Sequence, residues 1–228
     1  MIRDKTDTEN NVPRQDHFVA VAGCIGVGKT RLTRELSRIL GWVPYFEPVD
    51  VNPYLDDFYR DMNRWSFHLQ IYFLSKRFMM HRELVENGVP CVQDRTIYED
   101  AEIFARILHE RGQMDQRDYE NYVALFEVMM SYLRPPDLII GLRASVDTLM
   151  ERIGQRGRDC EKVIPRDYLE ELNTNYELWW ERAKAYTQLL VVDTDQVDLL
   201  DPNEMVRLVE EVAQRVGYQL EIPLDPSS

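Results

Sequence analysis

The feature that most constrains this chain is the run from Gly23 to Thr30, which reads Gly-Cys-Ile-Gly-Val-Gly-Lys-Thr and matches the pattern G-x-x-x-x-G-K-T in full. A short apolar segment, 17–22, precedes it, and apolar residues recur at helical spacing from 32 to 40. The sequence therefore predicts a strand, a glycine turn and a helix in that order. A phosphate-binding loop occurs in this context, and the alternative is a chance glycine-rich turn between a strand and a helix.

A loop of this kind binds phosphate with its backbone, because glycines let the chain curve so that N–H groups point inwards. Lys29 is expected to reach the β- and γ-phosphates of ATP, and the Thr30 hydroxyl is expected to ligate Mg²⁺. The residues predicted to bind the nucleotide here are Gly23, Cys24, Ile25, Gly26, Val27, Gly28, Lys29 and Thr30.

The rest of the chain repeats the alternation of short apolar segments and helical patterns. Further strands are predicted at 43–46, 89–93, 138–142 and 189–192, and helices at about 54–87, 98–111, 115–134, 145–153, 165–186 and 202–216. This order predicts an α/β fold: a five-stranded parallel sheet flanked by helices, with ligands beyond the carboxyl ends of the strands. We expect one domain over 17–216, a disordered lead at 1–16 and an unstructured tail at 217–228.

The net charge argues against one class of partner. The 228 residues include 40 Asp plus Glu against 27 Lys plus Arg, a formal charge of −13, which repels nucleic acids and anionic membranes at long range. A small phosphate compound is still admissible, because a local cluster of positive groups can bind it. Three cysteines without metal-type spacing predict a reducing cytoplasm, and no segment has the roughly 20 apolar residues that a membrane-spanning helix needs.

Asp94 and Arg95 directly follow the third predicted strand. At that position Asp94 can assist Mg²⁺ binding next to the phosphate loop, and Arg95 can neutralise charge on a transferred phosphoryl group. The alternative is an aspartate that caps a helix beside a solvated arginine.

Three arginines, at 152, 156 and 158, fall within seven residues of an otherwise acidic chain. The segment 154–163 is rich in glycine and arginine, which predicts a mobile arginine lid. Guanidinium groups suit charge that is spread over a phosphoryl group, so Arg152, Arg156 and Arg158 are predicted to contact the nucleotide. A solvated charged loop is the alternative.

Glu47 distinguishes between classes of phosphate acceptor. It follows the second predicted strand and precedes Pro48, so it is expected at the carboxyl edge of the sheet. A carboxylate would repel a phosphate acceptor, whereas a hydroxyl acceptor gains from a base that takes its proton. Glu47 therefore favours a hydroxyl acceptor, unless it is an ordinary capping or surface residue.

In their common order, these motifs resemble the deoxynucleoside kinases, and most closely their bacterial deoxyadenosine/deoxyguanosine kinase branch. The resemblance covers about residues 17–195 and implies a P-loop kinase fold with an arginine lid. The motifs are the phosphate loop, Glu47-Pro-Val49, Arg64-Trp-Ser-Phe67 with Gln70, Asp94-Arg-Thr96 with Asp100 and Phe104, and Arg152 to Arg158 with Glu161. Asp94 and Thr96 stand where several eukaryotic members have Glu and Ser, and Val27 replaces a small polar residue.

The resemblance also implies roles for single residues. Glu47 would be the general base, and Arg95 and Lys29 would complete the catalytic set. The residues implied to contact the nucleoside are Tyr59 and Glu161 at the sugar 3′-hydroxyl, Gln70 at the base edge, Leu69 and Phe104 on the ring faces, and Arg77 with Asp100 as a charged pair over the base. The alternatives are that Tyr59 and Phe104 are core residues, that Gln70 is a buried amide with its hydrogen bonds satisfied, and that Arg77 and Asp100 form an ordinary salt bridge.

The hypothesis from sequence is an enzyme that moves the γ-phosphate of ATP, with Mg²⁺, to the 5′-hydroxyl of a deoxyribonucleoside. Deoxyadenosine or deoxyguanosine is expected on the resemblance, with deoxycytidine also open. A homodimer paired through 98–134 and 165–186 is expected on the same ground. The rival hypotheses are a nucleoside monophosphate kinase, such as a thymidylate kinase, and a catalytically silent nucleotide-binding subunit.

Overall fold

The computed structural model describes residues 16–46, 52–157 and 164–220. The strands are β1 Phe18–Gly23, β2 Val43–Tyr45, β3 Cys91–Asp94, β4 Leu138–Arg143 and β5 Gln188–Asp193. They form one parallel sheet, as the alternating sequence pattern predicts, and their order in the sheet is β2-β3-β1-β4-β5.

The central strand β1 explains where the polar residues of the motifs meet. All six of its residues are buried, as expected for a strand that is covered on both faces. In the register, Val21 lies beside Asp94 of β3 on one side and beside Ile140 of β4 on the other. The chain therefore leaves β1 for the phosphate loop at the same edge at which β3 ends in Asp94.

Helices cover both faces of the sheet, and their ends follow familiar capping rules. They are α1 Lys29–Leu40, α2 Leu55–Arg60, α3 Met62–Asn87, α4 Ile97–Glu99, α5 Arg106–Glu110, α6 Gln116–Met130, α7 Val146–Arg156, α8 Arg166–Ala183 and α9 Pro202–Val216, with a π-helical segment, Asp100–Ala105, between α4 and α5. The Ser145 side chain accepts a hydrogen bond from the Thr148 N–H and caps α7, as predicted. Pro202 begins α9 and Gly217 ends it in a left-handed conformation.

Three helix predictions need correction. The single helix expected at 54–87 is two helices, because Asp61 leaves helical geometry and its side chain caps α3 by accepting from the Arg64 N–H. The helix expected at 98–111 contains the π-helical segment. The loop expected from 154 begins later, since α7 continues to Arg156 and Gly157 supplies its left-handed cap. The lid prediction for 158–163 lies outside the described residues.

Tight packing around α8 anchors the side of the sheet near β4. Trp179 and Trp180 are both almost fully buried. A Cβ atom on Gly141 would lie 2.7 Å from a ring atom of Trp180, so glycine is what lets the indole approach the strand. In the described part of the chain, no helix is both long enough and apolar enough to cross a membrane.

Candidate active site

Glycine at three positions of the phosphate loop, 23, 26 and 28, allows positive φ angles, and at the first two a side chain would also meet neighbouring atoms. Gly23 has φ 147°, and a Cβ there would lie 2.5 Å from the carbonyl oxygen of Leu142 on β4. Gly26 has φ 83°, and a Cβ there would lie 2.8 Å from Ile153 of α7. A side chain at either position would collide with neighbouring structure and strain the backbone. The loop is therefore built into the sheet edge and against α7.

Lys29 lies at the first turn of α1 and crosses the loop. Its Nζ atom donates to the carbonyl oxygens of Gly23 and Cys24, both at 2.9 Å. The ammonium is buried yet stays beside the cavity described below, so its charge is directed at the loop interior. Burial raises the pKa of the Cys24 thiol to about 11, which keeps this residue neutral and unreactive at neutral pH.

Thr30 and Asp94 meet at the end of the phosphate loop, as the sequence predicted. The Thr30 hydroxyl donates to Oδ2 of Asp94 at 2.5 Å, and Asp94 is buried. Both groups offer hard oxygen ligands, which suit Mg²⁺. Within the described residues, no group of three or more His, Cys, Asp or Glu side chains could hold a metal. A Mg²⁺ ion at this pair would therefore need oxygens from water and from a bound phosphate.

Arg95 has a backbone conformation that is rare for a residue with a side chain. Its φ of 66° makes it the one non-glycine residue with positive φ among those described, at a cost of roughly 1–3 kcal/mol. Its N–H donates to the Val21 carbonyl at 2.9 Å, which ties it to β1. The guanidinium lies 4.7 Å from the centre of the Phe104 ring, and Nη1 donates to the Tyr176 hydroxyl at 2.8 Å. The surroundings thus hold a strained residue in one orientation.

The Arg95 guanidinium also lies 3.8 Å from the carboxylate of Glu99, which is fully buried. The Tyr176 hydroxyl in turn donates to the same carboxylate at 2.8 Å. Burial raises the pKa of Tyr176 well above its usual value, so the phenol stays protonated and able to donate. Sequence reasoning singled out neither Glu99 nor Tyr176.

Arg152 has a structural contact that the lid hypothesis did not include. Nη1 donates to the Val27 carbonyl at 3.2 Å and to the Thr194 hydroxyl at 2.8 Å, and Nη2 donates to the Thr194 carbonyl at 3.0 Å. Arg152 therefore links the phosphate loop to the segment after β5. Both Arg152 and Arg156 belong to α7 and line the cavity.

Helix α3 brings polar groups into the protein interior. Arg77 Nε lies 2.7 Å from Oδ2 of Asp100, and both side chains are almost fully buried. The ring of Phe73 lies 4.9 Å from the guanidinium. Gln70 lies one turn before Phe73 in α3 and is buried, and among the described residues its Oε1 has no hydrogen-bond partner. Because Gln70 also lines the cavity described below, a bound ligand is one partner that this oxygen can reach.

These residues surround one cavity of about 550 Å³, a size typical of small-molecule sites. The predicted site residues that line it are Ile25, Gly26, Gly28, Lys29, Thr30, Tyr59, Leu69, Gln70, Arg77, Arg95, Asp100, Phe104, Arg152 and Arg156. Gly23, Cys24, Val27 and Asp94 are buried and lie outside its lining. Glu47, Arg158 and Glu161 lie outside the described residues.

The cavity also has a lining that the sequence analysis did not include: Arg31, Arg34, Phe46, Leu55, Phe58, Phe73 and Tyr168. Phe73 could have been found, because it lies one turn from both Gln70 and Arg77 on a predicted helix. The guanidinium of Arg34, in α1, lies 5.7 Å from the centre of the ring of Phe46, the residue after β2, and sequence spacing alone does not reveal this contact. Tyr168 lies in α8, far along the chain.

Comparison with known proteins decides the family. The deoxynucleoside kinase family model matches residues 19–217. The chain belongs to the deoxynucleoside kinase family. A deoxyadenosine/deoxycytidine kinase of Bacillus subtilis is 43% identical over 208 residues, which cover 90% of this chain and 95% of the relative. A deoxyadenosine kinase of Dictyostelium discoideum is 37% identical over 204 residues, which cover 90% of this chain and 82% of the relative.

Solved structures of deoxynucleoside kinases agree with this assignment. The deoxyadenosine kinase from M. mycoides, solved with products dCMP and a flexible dCDP, has a TM-score of 0.78 and 31% identity. The match covers 86% of this chain and 99% of that one. The P-loop kinase fold expected from the resemblance is confirmed.

Proposed function

We propose that this deoxynucleoside kinase transfers the γ-phosphoryl group of ATP to the 5′-hydroxyl of a purine deoxyribonucleoside. The observation that carries the proposal is one cavity lined by two chemically different sets of groups. The phosphate loop with Lys29, Arg95 and Arg156 supplies cations and N–H groups for phosphates. Helix α3 supplies the amide of Gln70 and the Arg77–Asp100 pair, which suit the hydrogen-bonding edge of a neutral base.

In the proposed reaction, the 5′-oxygen attacks the γ-phosphorus in line while the bond to the β-phosphate oxygen breaks, so that ADP leaves. Lys29 and Arg95 stabilise charge on the transferred group, together with the arginines at 152, 156 and 158. Thr30 and Asp94 would hold Mg²⁺. When bound, Mg²⁺ supplies neutralisation of phosphate charge.

The proton of the 5′-hydroxyl needs an acceptor, and we assign that role to Glu47 on its place in the sequence. Phe46, the residue before it, lines the cavity. A carboxylate helps a hydroxyl acceptor and repels a phosphate acceptor, which favours the nucleoside over its monophosphate. By the family resemblance, Tyr59 and Glu161 would bind the 3′-hydroxyl, and Leu69 and Phe104 would contact the base.

The test is an acceptor panel of the four deoxynucleosides and deoxyadenosine monophosphate, with ATP and Mg²⁺. We expect phosphorylation of deoxyadenosine or deoxyguanosine and none of the monophosphate. Glu47→Gln should lower kcat by about 10² to 10⁴ and change nucleoside binding little. Equal use of the monophosphate would refute the hydroxyl acceptor, and near-normal kcat in the variant would refute the base.

Two further expectations concern the assembly and location of the protein. Apolar side chains in the last two turns of α6 and just beyond it are exposed: Leu125, Val128 and Tyr132. A second copy of the chain is the expected partner for this surface, within the 98–134 region named above. Light scattering of Val128→Glu against the wild type tests this, since only a dimer at this surface would dissociate. Cys24 and Cys91 are free and buried, in keeping with the proposed reducing cytoplasm.

A further inference from the structure

A buried carboxylate outside the cavity connects three parts of the active site. Oε2 of Glu99 accepts from the N–H of Thr96 at 2.7 Å and from the Thr96 hydroxyl at 3.1 Å. Oε1 accepts from the Tyr176 hydroxyl at 2.8 Å and lies 3.4 Å from the N–H of Gly23. One side chain thus contacts the turn after β3, the first residue of the phosphate loop and helix α8.

Glu99 reaches the reacting groups only through other residues. Neither it nor Tyr176 belongs to the cavity lining in the described part of the chain, whereas Arg95 does. Nη1 of Arg95 donates to the Tyr176 hydroxyl, and that hydroxyl donates to Glu99. The chain of hydrogen bonds therefore runs from a buried anion through a neutral phenol to a cation at the cavity wall.

The arrangement goes beyond what a helix cap requires. The contacts of Oε2 with Thr96 complete a capping box at the start of α4, which accounts for one oxygen. The other oxygen serves no cap and faces Tyr176, Arg95 and Gly23. A fully buried carboxylate is costly unless it is paired and hydrogen-bonded, and here the guanidinium at 3.8 Å and the phenol meet that need.

We infer that Glu99 is a positioning residue for phosphoryl transfer, acting through Tyr176 to hold the Arg95 guanidinium and through Gly23 to hold the start of the phosphate loop. The backbone of Arg95 is in the left-handed region, a conformation that persists only when the surrounding structure holds it, and Nη1 of its side chain is bonded to the Tyr176 hydroxyl. Without the hydrogen bonds from Glu99 through Tyr176, the Arg95 guanidinium can adopt other orientations. Its position relative to the transferred phosphoryl group is then no longer fixed. A misplacement of about 1 Å in such a group can cost about 10²-fold in rate.

Tyr176→Phe is the sharpest variant, because it removes the bridging hydroxyl and keeps the ring that packs near Phe104 and Trp179. Glu99→Gln removes the charge at nearly constant size. Both variants should lower kcat by about 10- to 100-fold and change the KM for ATP and for the deoxynucleoside by less than about threefold. Because both act through one hydrogen-bond chain, the double variant should lose about as much kcat as the more damaging of the two single variants.

Glu102→Gln is the matched control. Glu102 lies three residues further along, pairs with Arg182 at 2.9 Å on the surface and should leave kcat unchanged within about twofold. Rates are to be expressed per site that binds nucleotide, so that loss of folded protein does not count as lost catalysis. A merely structural role would lower the melting temperature and leave this corrected kcat intact.

The inference rests on the proposed function, and the same assay separates the two. If the wild type phosphorylates no deoxynucleoside, the proposed function fails and this inference fails with it. If the wild type is active and Tyr176→Phe keeps the corrected kcat within twofold, the inference alone is overturned. Losses that simply multiply in the double variant would also overturn the shared hydrogen-bond chain.

Discussion

The buried ion pair between Arg77 and Asp100 allows a quantitative prediction about stability. The nitrogen and oxygen atoms lie 2.7 Å apart, and the side chains are 3% and 2% exposed. With an effective dielectric constant of about 20, Coulomb's law gives an attraction of about 6 kcal/mol at this separation. Most of that attraction offsets the cost of removing both charges from water, so the pair as a whole contributes little.

The removal of one partner has a different effect, because the remaining charge stays buried and loses the ion pair that offset its desolvation. Asp100→Asn or Arg77→Met alone should lower the free energy of unfolding by about 3–5 kcal/mol. The double variant contains neither charge, so its loss should be smaller than the sum of the single losses by about 2 kcal/mol or more. Glu102→Gln, which breaks an exposed pair of similar length, should cost less than about 1 kcal/mol.

Urea unfolding followed by tryptophan fluorescence measures these differences, since Trp179 and Trp180 are buried and change environment on unfolding. A loss below about 1 kcal/mol for either single variant would refute the reasoning from burial. Additive losses in the double variant would show that the two charges do not compensate each other in the folded protein.

Four further predictions follow from other parts of the structure. Burial lowers the pKa of His81 from 6.5 to about 4, so the unfolded chain binds a proton more strongly than the folded protein does. The free energy of unfolding should therefore fall by up to about 3 kcal/mol as the pH is lowered from 6.5 to 4. In urea unfolding, His81→Gln should show a smaller change in the free energy of unfolding over this pH range. Gly23→Ala should lower the melting temperature and abolish activity, whereas Gly154→Ala, at an open helical position, should stabilise by up to about 1 kcal/mol. Thr30→Val should raise the Mg²⁺ concentration needed for half-maximal activity by about tenfold or more, measured by Mg²⁺ titration. Gln70→Leu should leave the melting temperature unchanged or higher, because it removes a buried amide, while calorimetry shows at least about tenfold weaker nucleoside binding.

The sheet could be predicted from sequence because its signal is local. Each strand is a short apolar run between helical patterns, and the phosphate loop ties the first strand to α1. The order β2-β3-β1-β4-β5 could not be read in this way, since it depends on which runs pair across long stretches of chain. The π-helical segment is similarly hidden, although it carries Asp100 and Phe104 into the cavity lining.

The predictable part of the site is likewise the part with fixed spacing. Lys29 and Thr30 follow from a contiguous motif, and the meeting of Thr30 with Asp94 follows from the adjacency of two strand ends. For Glu99 the local signal covers only its capping role, since Thr96 and Glu99 have the spacing of a capping box. A charged residue early in a helix is usually solvated, and the burial of Glu99 depends on Tyr176, which lies 77 positions later. Contacts of that kind follow from the packing of α8, which no local pattern encodes.

Helix α3 has buried polar residues, and only some of them line the cavity. In an ordinary surface helix the buried face is apolar, yet the buried face of α3 carries Gln70, Arg77 and His81. Gln70 and Arg77 line the cavity, whereas His81 lies away from it and bonds the Arg134 carbonyl at 2.8 Å. Burial of polar groups is costly, so each needs a partner, from the protein or from a ligand. Buried polar residues on a helix therefore indicate a binding site only where they line a cavity. Elsewhere on the same helix they form hydrogen bonds that stabilise the fold.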